Sequence, residues 1–182
     1  MITQIDVRGV LARIGPDRPD LVTRPTGRAV RTSIETELAS LTGRTVVVLD
    51  FSAVRIIDCS CADEIVAKLV RAYVATEMPL DAFFLIRGLE DHQIDDIDAV
   101  LRRQCLAMVA ETQGQVRLIG DVADDARLAF SLLAARGRAA AEELALDLAW
   151  PLELVLATLE DLALRRLVLR DAGHWLPPTA AA

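Results

Sequence analysis

The chain has 182 residues, 53% of them hydrophobic, and a formal net charge of −7 at pH 7. This composition excludes a disordered or fibrous protein, because enough apolar surface is present to form a core. The negative charge argues against a general affinity for nucleic acid, whose phosphates need a positive surface. Three cysteines and a first stretch interrupted by charged residues predict neither a disulfide framework nor a signal or membrane segment. We therefore expect a cytoplasmic protein with no membrane partner.

The first part of the chain predicts short strands followed by a helix. Residues 2–7 and 10–14 are alternating runs parted by Arg8 and Gly9, a pattern typical of a hairpin or of two edge strands. Apolar residues recur every three or four positions over residues 28–41, which predicts a helix. Three arginines lie near the start of this helix, where acidic residues would be expected. We interpret them as a solvated helix face in preference to a phosphate or partner site: Arg24, Arg28 and Arg31.

Residues 45–70 are the most informative stretch. The run at 46–49, Val-Val-Val-Leu, predicts a strand that is buried on both faces of a sheet. A loop then leads to Ser60, which is placed to cap a helix with its hydroxyl. Acidic residues at the helix start suit the positive end of the helix dipole. The junction thus combines one hydroxyl, two thiols and three carboxylates: Asp58, Cys59, Ser60, Cys61, Asp63 and Glu64.

Strands and helices continue to alternate up to residue 120. Residues 82–86 and 115–119 predict strands, and residues 94–109 predict a long helix that contains Cys105 as a small buried residue. Crossovers of this length favour an α/β fold, in which helices pack on a mixed sheet. We place a domain boundary after residue 120.

Residues 121–182 predict three helices, at 126–135, 139–148 and 152–164, and then a hairpin that turns at 171–173. Residues 141–148 read Ala-Glu-Glu-Leu-Ala-Leu-Asp-Leu and are followed by a longer leucine-rich helix. This order resembles the winged helix-turn-helix superfamily. The sequence therefore predicts two domains: an α/β domain over residues 1–120 and a small α+β winged-helix-like domain over residues 121–182.

The central stretch resembles the core of the STAS domain, the fold of bacterial anti-sigma-factor antagonists and of sulfate-transporter tails. Residues 49–54 read Leu-Asp-Phe-Ser-Ala-Val, and residues 57–60 read Ile-Asp-Cys-Ser. The Ala-Asp-Glu that follows at 62–64 is closer to the STAS-like branch of unassigned function. In the antagonists the helix opens with Asp-Ser-Ser-Gly, and a partner kinase phosphorylates the second serine. The resemblance implies that Ser60 is the switch, with cysteines in place of the first serine and the glycine.

Three functions follow from these observations. The favoured one is a regulatory interaction module that binds a protein partner through residues 58–64, with an anti-sigma factor or a kinase-like regulator as candidate partner and a homodimer left open. The alternative is a DNA-binding regulator, whose contacts would be Arg165, Arg166, Arg170 and His174. It is less favoured, because residues 121–182 hold ten acidic residues against six arginines, and the helix in the recognition position is acidic at Glu153, Glu160 and Asp161.

The third function is a thiol redox sensor. Cys59 and Cys61 would form a low-pKa thiol pair or part of a soft-metal site, although two small buried cysteines are the favoured interpretation. The sequence carries no phosphate loop, catalytic triad or metal-ligand spacing. We therefore expect no enzyme activity, no metal and no cofactor.

Overall fold

The computed structural model describes residues 1–15, 20–75 and 80–181. Its strands are β1 (Ile2–Asp6), β2 (Gly43–Asp50), β3 (Leu80–Arg87), β4 (Ala107–Thr112), β5 (Gln115–Gly120), β6 (Leu169–Asp171) and β7 (His174–Leu176). Its α-helices are α1 (Val7–Ile14), α2 (Arg24–Leu38), α3 (Cys59–Ala62), α4 (Lys68–Ala75), α5 (Asp91–Arg103), α6 (Asp124–Arg136), α7 (Ala141–Leu148) and α8 (Leu152–Leu164). A π-helical turn, Asp63–Ala67, joins α3 to α4, and a 3₁₀ turn, Pro178–Ala181, follows β7.

Five strands form a mixed sheet in the order β1-β2-β3-β4-β5. The first four are parallel, and β5 returns antiparallel beside β4. Val48 of β2 lies opposite Leu85 of β3. The prediction that residues 46–49 lie inside the sheet beside residues 82–86 is thus confirmed, as is the α/β class.

Both faces of the sheet are covered. Val47 and Leu49 belong to one apolar core, and Val46 and Val48 belong to the other. Successive side chains of a strand point to opposite faces, so a strand covered on both sides must be apolar at every position. Helices from the first part of the chain fill the first core with Val10, Ile34, Ile65, Leu69 and Ile97.

The C-terminal region covers the second face of the sheet. The three predicted helices and the hairpin are confirmed as α6, α7, α8 and the β6–β7 pair. Ala139 adds a single antiparallel bridge to Trp175 of β7, and the hairpin is separate from the five-stranded sheet. Phe130 and Leu159 share their core with side chains of β2 to β5. The division at residue 120, and the finer assignment to STAS-like and winged-helix folds, stay predictions.

Two of the secondary-structure predictions are wrong. Residues 10–14 belong to helix α1 rather than to a strand, since Val7, Val10 and Leu11 bury one helical face. The helix predicted over 94–109 ends at Arg103, and residues 107–112 form strand β4. A short apolar run fits helical and extended periodicity equally, and pairing with β5 decides the outcome. Cys105 therefore lies exposed in a turn with φ of 55°.

Candidate functional site

The candidate site lies beyond the carboxyl end of β2, where the chain loops back before α3. Leu21 forms a parallel bridge with Ile57 in this loop. The Leu21 N–H donates to the Ile56 carbonyl at 2.9 Å, and the Asp58 N–H donates to the Leu21 carbonyl at 2.9 Å. These bonds hold the segment before α2 against the segment before α3. As a result, the starts of two helices that are distant in sequence lie side by side.

Asp58, and not Ser60, is the N-cap of α3. One carboxylate oxygen of Asp58 accepts from the Cys61 N–H at 2.7 Å and from the Ser60 hydroxyl at 2.8 Å. The other accepts from the Thr23 N–H at 2.9 Å. The prediction that Ser60 caps the helix is wrong, because Asp58 holds the extended backbone of a cap and Ser60 lies within the first turn. Burial alone would raise the pKa of Asp58, but these hydrogen bonds hold the pKa below its ordinary value.

Cys61 is buried at the contact between α2 and α3. Its thiol donates to the Thr23 carbonyl at 3.2 Å. A Cβ added at Gly27 would lie 2.9 Å from the Cys61 Cα, so the two helices approach too closely for any residue but glycine. Burial, followed by the charge of Asp58, raises the pKa of Cys61 to about 12. Cys59 is exposed, so the interpretation of both cysteines as small buried residues is right for Cys61 and wrong for Cys59.

Glu64 is fully buried within the π-helical turn and is surrounded by cations. Its carboxylate lies 3.0 Å from Nη1 of Arg24, 3.5 Å from Nη2 of Arg31 and 2.5 Å from Nζ of Lys68. Burial alone would raise the pKa of Glu64, but Lys68 and Arg24 lead the contacts that lower it. Glu64 therefore stabilises the junction from inside, and its side chain is not presented at the surface.

Asp63 faces a cavity of about 320 Å³ beside the junction. Its carboxylate accepts from Arg24 Nη1 at 2.7 Å and from Gln104 Nε2 at 3.0 Å. We call this space the junction cavity; its lining residues are Arg24, Cys59, Ser60, Asp63, Val100, Arg103 and Gln104. No local sequence motif marks the last three, which reach the cavity from α5 and its C-terminal cap.

The residues predicted to contact DNA lie outside the junction. Most of them are engaged in contacts within the protein. Arg166 donates to the Tyr73 carbonyl at 2.9 Å and pairs with Asp81. Arg165 donates to the Asp121 carbonyl. The guanidinium of Arg170 lies 5.3 Å from the centre of the Trp175 ring, and His174 lies 3.3 Å from the Arg138 guanidinium.

Residues 1–15, 20–75 and 80–181 contain neither a metal-binding cluster nor a helix suited to span a membrane. No group of three or more His, Cys, Asp or Glu side chains in these ranges is placed to hold a metal ion. No helix within them combines the length and apolar character needed to cross a bilayer.

The chain matches no protein-family model, and comparisons with curated proteins and with solved structures also find no match.

Proposed function

We propose that the chain is a regulatory interaction module of the STAS-like type, which binds a protein partner at the surface around Ser60. The observation that carries this proposal is a pair of exposed apolar side chains beside the junction. Val22 is 41% exposed and Ile56 is 49% exposed. The hydrogen bond from Leu21 to Ile56 places their segments next to each other. Apolar side chains with polar neighbours are typical of the centre and rim of a protein interface.

The junction residues divide into a contact set and a support set. Cys59 is exposed and Ser60 is half-buried, so both are accessible to a partner beside Val22 and Ile56. Asp58, Cys61 and Glu64 instead hold the backbone through the hydrogen bonds and ion pairs described above. A surface held by such contacts loses little conformational freedom when it binds.

Ser60 is the proposed regulatory position. Its hydroxyl donates to Asp58 at 2.8 Å. A phosphoryl group on this oxygen would remove that donor and add a charge of about −1.5 to −2 beside the carboxylate. We therefore propose that phosphorylation by a partner kinase breaks the Ser60–Asp58 contact and changes the surface presented to the partner.

A capture experiment with matched variants tests the interaction. We expect wild-type protein to retain a specific partner and Ile56→Asp to lose it. Leu128→Asp is the control. Leu128 is an aliphatic side chain that is 53% exposed, similar to Ile56, but it belongs to α6, which covers the other face of the sheet. Ser60→Asp should change the partner affinity about tenfold or more, or about 1.4 kcal/mol. Equal capture by wild type and Ile56→Asp would refute the proposed surface.

A DNA-binding regulator remains the second candidate. The order of α6, α7, α8 and the hairpin, together with the Ala139–Trp175 bridge, supports a winged-helix-like unit. The exposed side of α8, however, carries Glu153, Leu154, Glu160 and Leu164. A leucine-rich and acidic helix face is suited to a protein surface rather than to DNA.

A further inference from the structure

The geometry points to a binding site for a small phosphate-bearing anion in the junction cavity, where Arg24 of α2 and Arg103 of α5 both line the wall. This binding needs no protein partner and no modification of Ser60. It is therefore independent of the function proposed above.

Arg103 is a free cation at the cavity wall. It lies at the C-terminal end of α5 and is exposed. Within the part of the chain that the structure describes, it makes no hydrogen bond or ion pair. Arg24 makes both of its carboxylate contacts through Nη1, which leaves its other guanidinium nitrogens as donors. Two guanidinium groups therefore line one cavity, and both have N–H donors that are available to a ligand.

The carboxylate in the cavity is already compensated. One oxygen of Asp63 accepts from Arg24 and the other accepts from Gln104. Glu64 behind it is shared by Arg24, Arg31 and Lys68. The lining thus has an excess of positive charge, although the whole chain has a net charge of −7. A local charge opposite to that of the molecule favours capture of an anion at this place.

The chemistry of the lining favours phosphate. Arginine presents a planar fork of donors that matches the oxygens of phosphate, and two arginines can bind separate oxygens of one group. The cavity, at about 320 Å³, is near the lower end of small-molecule sites, which are roughly 300–1,000 Å³. Val100 supplies an apolar wall. The site therefore fits a phosphate group with a small substituent.

Cys59 lines the cavity and is exposed, so its alkylation rate reports whether the cavity is occupied. The probe is inorganic phosphate, compared with chloride and with acetate at equal ionic strength. Phosphate at ten times its Kd leaves about one site in ten free, so Cys59 should react about tenfold more slowly. Cys105, exposed but outside the lining, should react at an unchanged rate. Intact mass measured beforehand ensures that Ser60 carries no phosphoryl group, so the protection comes from the free ion.

Two arginine variants complete the test. Arg103→Gln should remove the protection of Cys59, and it should fold normally because Arg103 is exposed and unpaired within the described residues. Arg28→Gln is the matched control, since Arg28 lies on α2 near Arg24 but outside the junction cavity; it should keep the protection. An equal Cys59 rate in phosphate and chloride would overturn the site. If Arg103→Gln and Arg28→Gln lost the protection of Cys59 equally, the anion would not be located in the junction cavity. If acetate protected Cys59 as well as phosphate does, the site would not be a phosphate site.

Discussion

Arg24 Nη1 lies 3.0 Å from Oε1 of Glu64, and the Glu64 side chain has no exposed surface. This ion pair ties the start of α2 to the π-helical turn behind Ser60. One helical turn further along α2, Gly27 permits the close approach of the two helices. π-helical turns often occur at functional positions. Here the ion pair of buried Glu64 with Arg24 stabilises such a turn beside the candidate site.

We expect Glu64→Gln to lower the free energy of unfolding by about 1.5–3 kcal/mol, the range for hydrogen bonds to a charged group. Glutamine keeps the volume of the side chain but removes the charge that three cations share. Urea unfolding measures the change. The control is Glu35→Gln, because Glu35 is 35% exposed and pairs with Arg31 on the helix surface; it should cost less than about 0.5 kcal/mol. Equal costs for the two variants would contradict a special role for Glu64.

The free energy of unfolding should fall as the pH drops below about 4.5. Burial alone would raise the pKa values of Asp58, Glu64 and Asp98, but their hydrogen bonds and ion pairs lower them in the folded protein. A carboxylate whose folded pKa is depressed contributes stability above its unfolded pKa of about 3.9–4.3, and loses it as the pH falls through the folded pKa. Urea unfolding between pH 7 and pH 3 measures this. If the free energy of unfolding did not change with pH in either wild type or Glu64→Gln, these carboxylates would not be the source of acid sensitivity.

The sequence predicts the fold where the decisive signal is local. The apolar run of β2 needs only its own residues to be identified as a doubly buried strand, and the hairpin is marked by its turn at Asp171. Strand β4 carries no such signal, because its pairing with β5 selects the extended state. Apolar residues keep helical spacing through residue 109, so the predicted helix extends to that residue, whereas α5 ends at Arg103.

The candidate site divides in the same way. The junction residues are contiguous, so a sequence motif identifies them. Their roles depend on distant partners: Thr23 donates to Asp58 and accepts from Cys61, which fixes the cap and buries the thiol. Arg103 and Gln104 enter the cavity through packing of α5. Spacing in the sequence carries no information about such contacts.

Asp58→Ala should destabilise the protein more than Ser60→Ala. The Asp58 carboxylate accepts three hydrogen bonds, including the cap to the Cys61 N–H, and loss of a cap costs about 0.5–2 kcal/mol. Ser60→Ala removes one of the three bonds, worth about 0.5–1.5 kcal/mol. Urea unfolding ranks the two, with Ser40→Ala as control, since the Ser40 hydroxyl bonds the backbone on an exposed surface. If Ser60→Ala cost as much as Asp58→Ala, the hydroxyl would be the more important group.

Binding to duplex DNA should be weak, with a Kd of about 10⁻⁴ M or higher at physiological salt, at or beyond the weak end of the non-specific range. The exposed side of α8 is acidic and apolar, while Arg165 and Arg166 at its end are engaged by the Asp121 and Tyr73 carbonyls. Fluorescence anisotropy with a mixed-sequence duplex at several salt concentrations measures the affinity. Nanomolar binding with a steep salt dependence would replace the interaction proposal by the DNA-binding one.

Arg166 should stabilise the protein by joining the C-terminal helices to the sheet. Its guanidinium donates to the Tyr73 carbonyl, pairs with Asp81 and lies 5.8 Å from the centre of the Phe83 ring. We expect Arg166→Ala to lower the free energy of unfolding by about 1–3 kcal/mol, because it removes the donor to the Tyr73 carbonyl and one of the two arginines that pair with Asp81, the other being Arg44. Arg166→Lys should be intermediate, since one ammonium group cannot reproduce the forked contact.

The control for Arg166 is Arg170→Ala. Arg170 is exposed and its guanidinium stacks on Trp175 within the same hairpin, so its loss should cost about 0.5–1 kcal/mol, the range for an exposed cation–π contact. Urea unfolding and fluorescence anisotropy with duplex DNA are measured on wild type, Arg166→Ala and Arg170→Ala. Together they distinguish a structural role of Arg166 from a role in DNA contact. A structural arginine lowers stability when it is removed and leaves the weak DNA binding unchanged. If Arg166→Ala instead kept full stability and abolished DNA binding, the contacts of Arg166 with Tyr73 and Asp81 would contribute little to folding. Arg166 would then be a contact to the DNA phosphates.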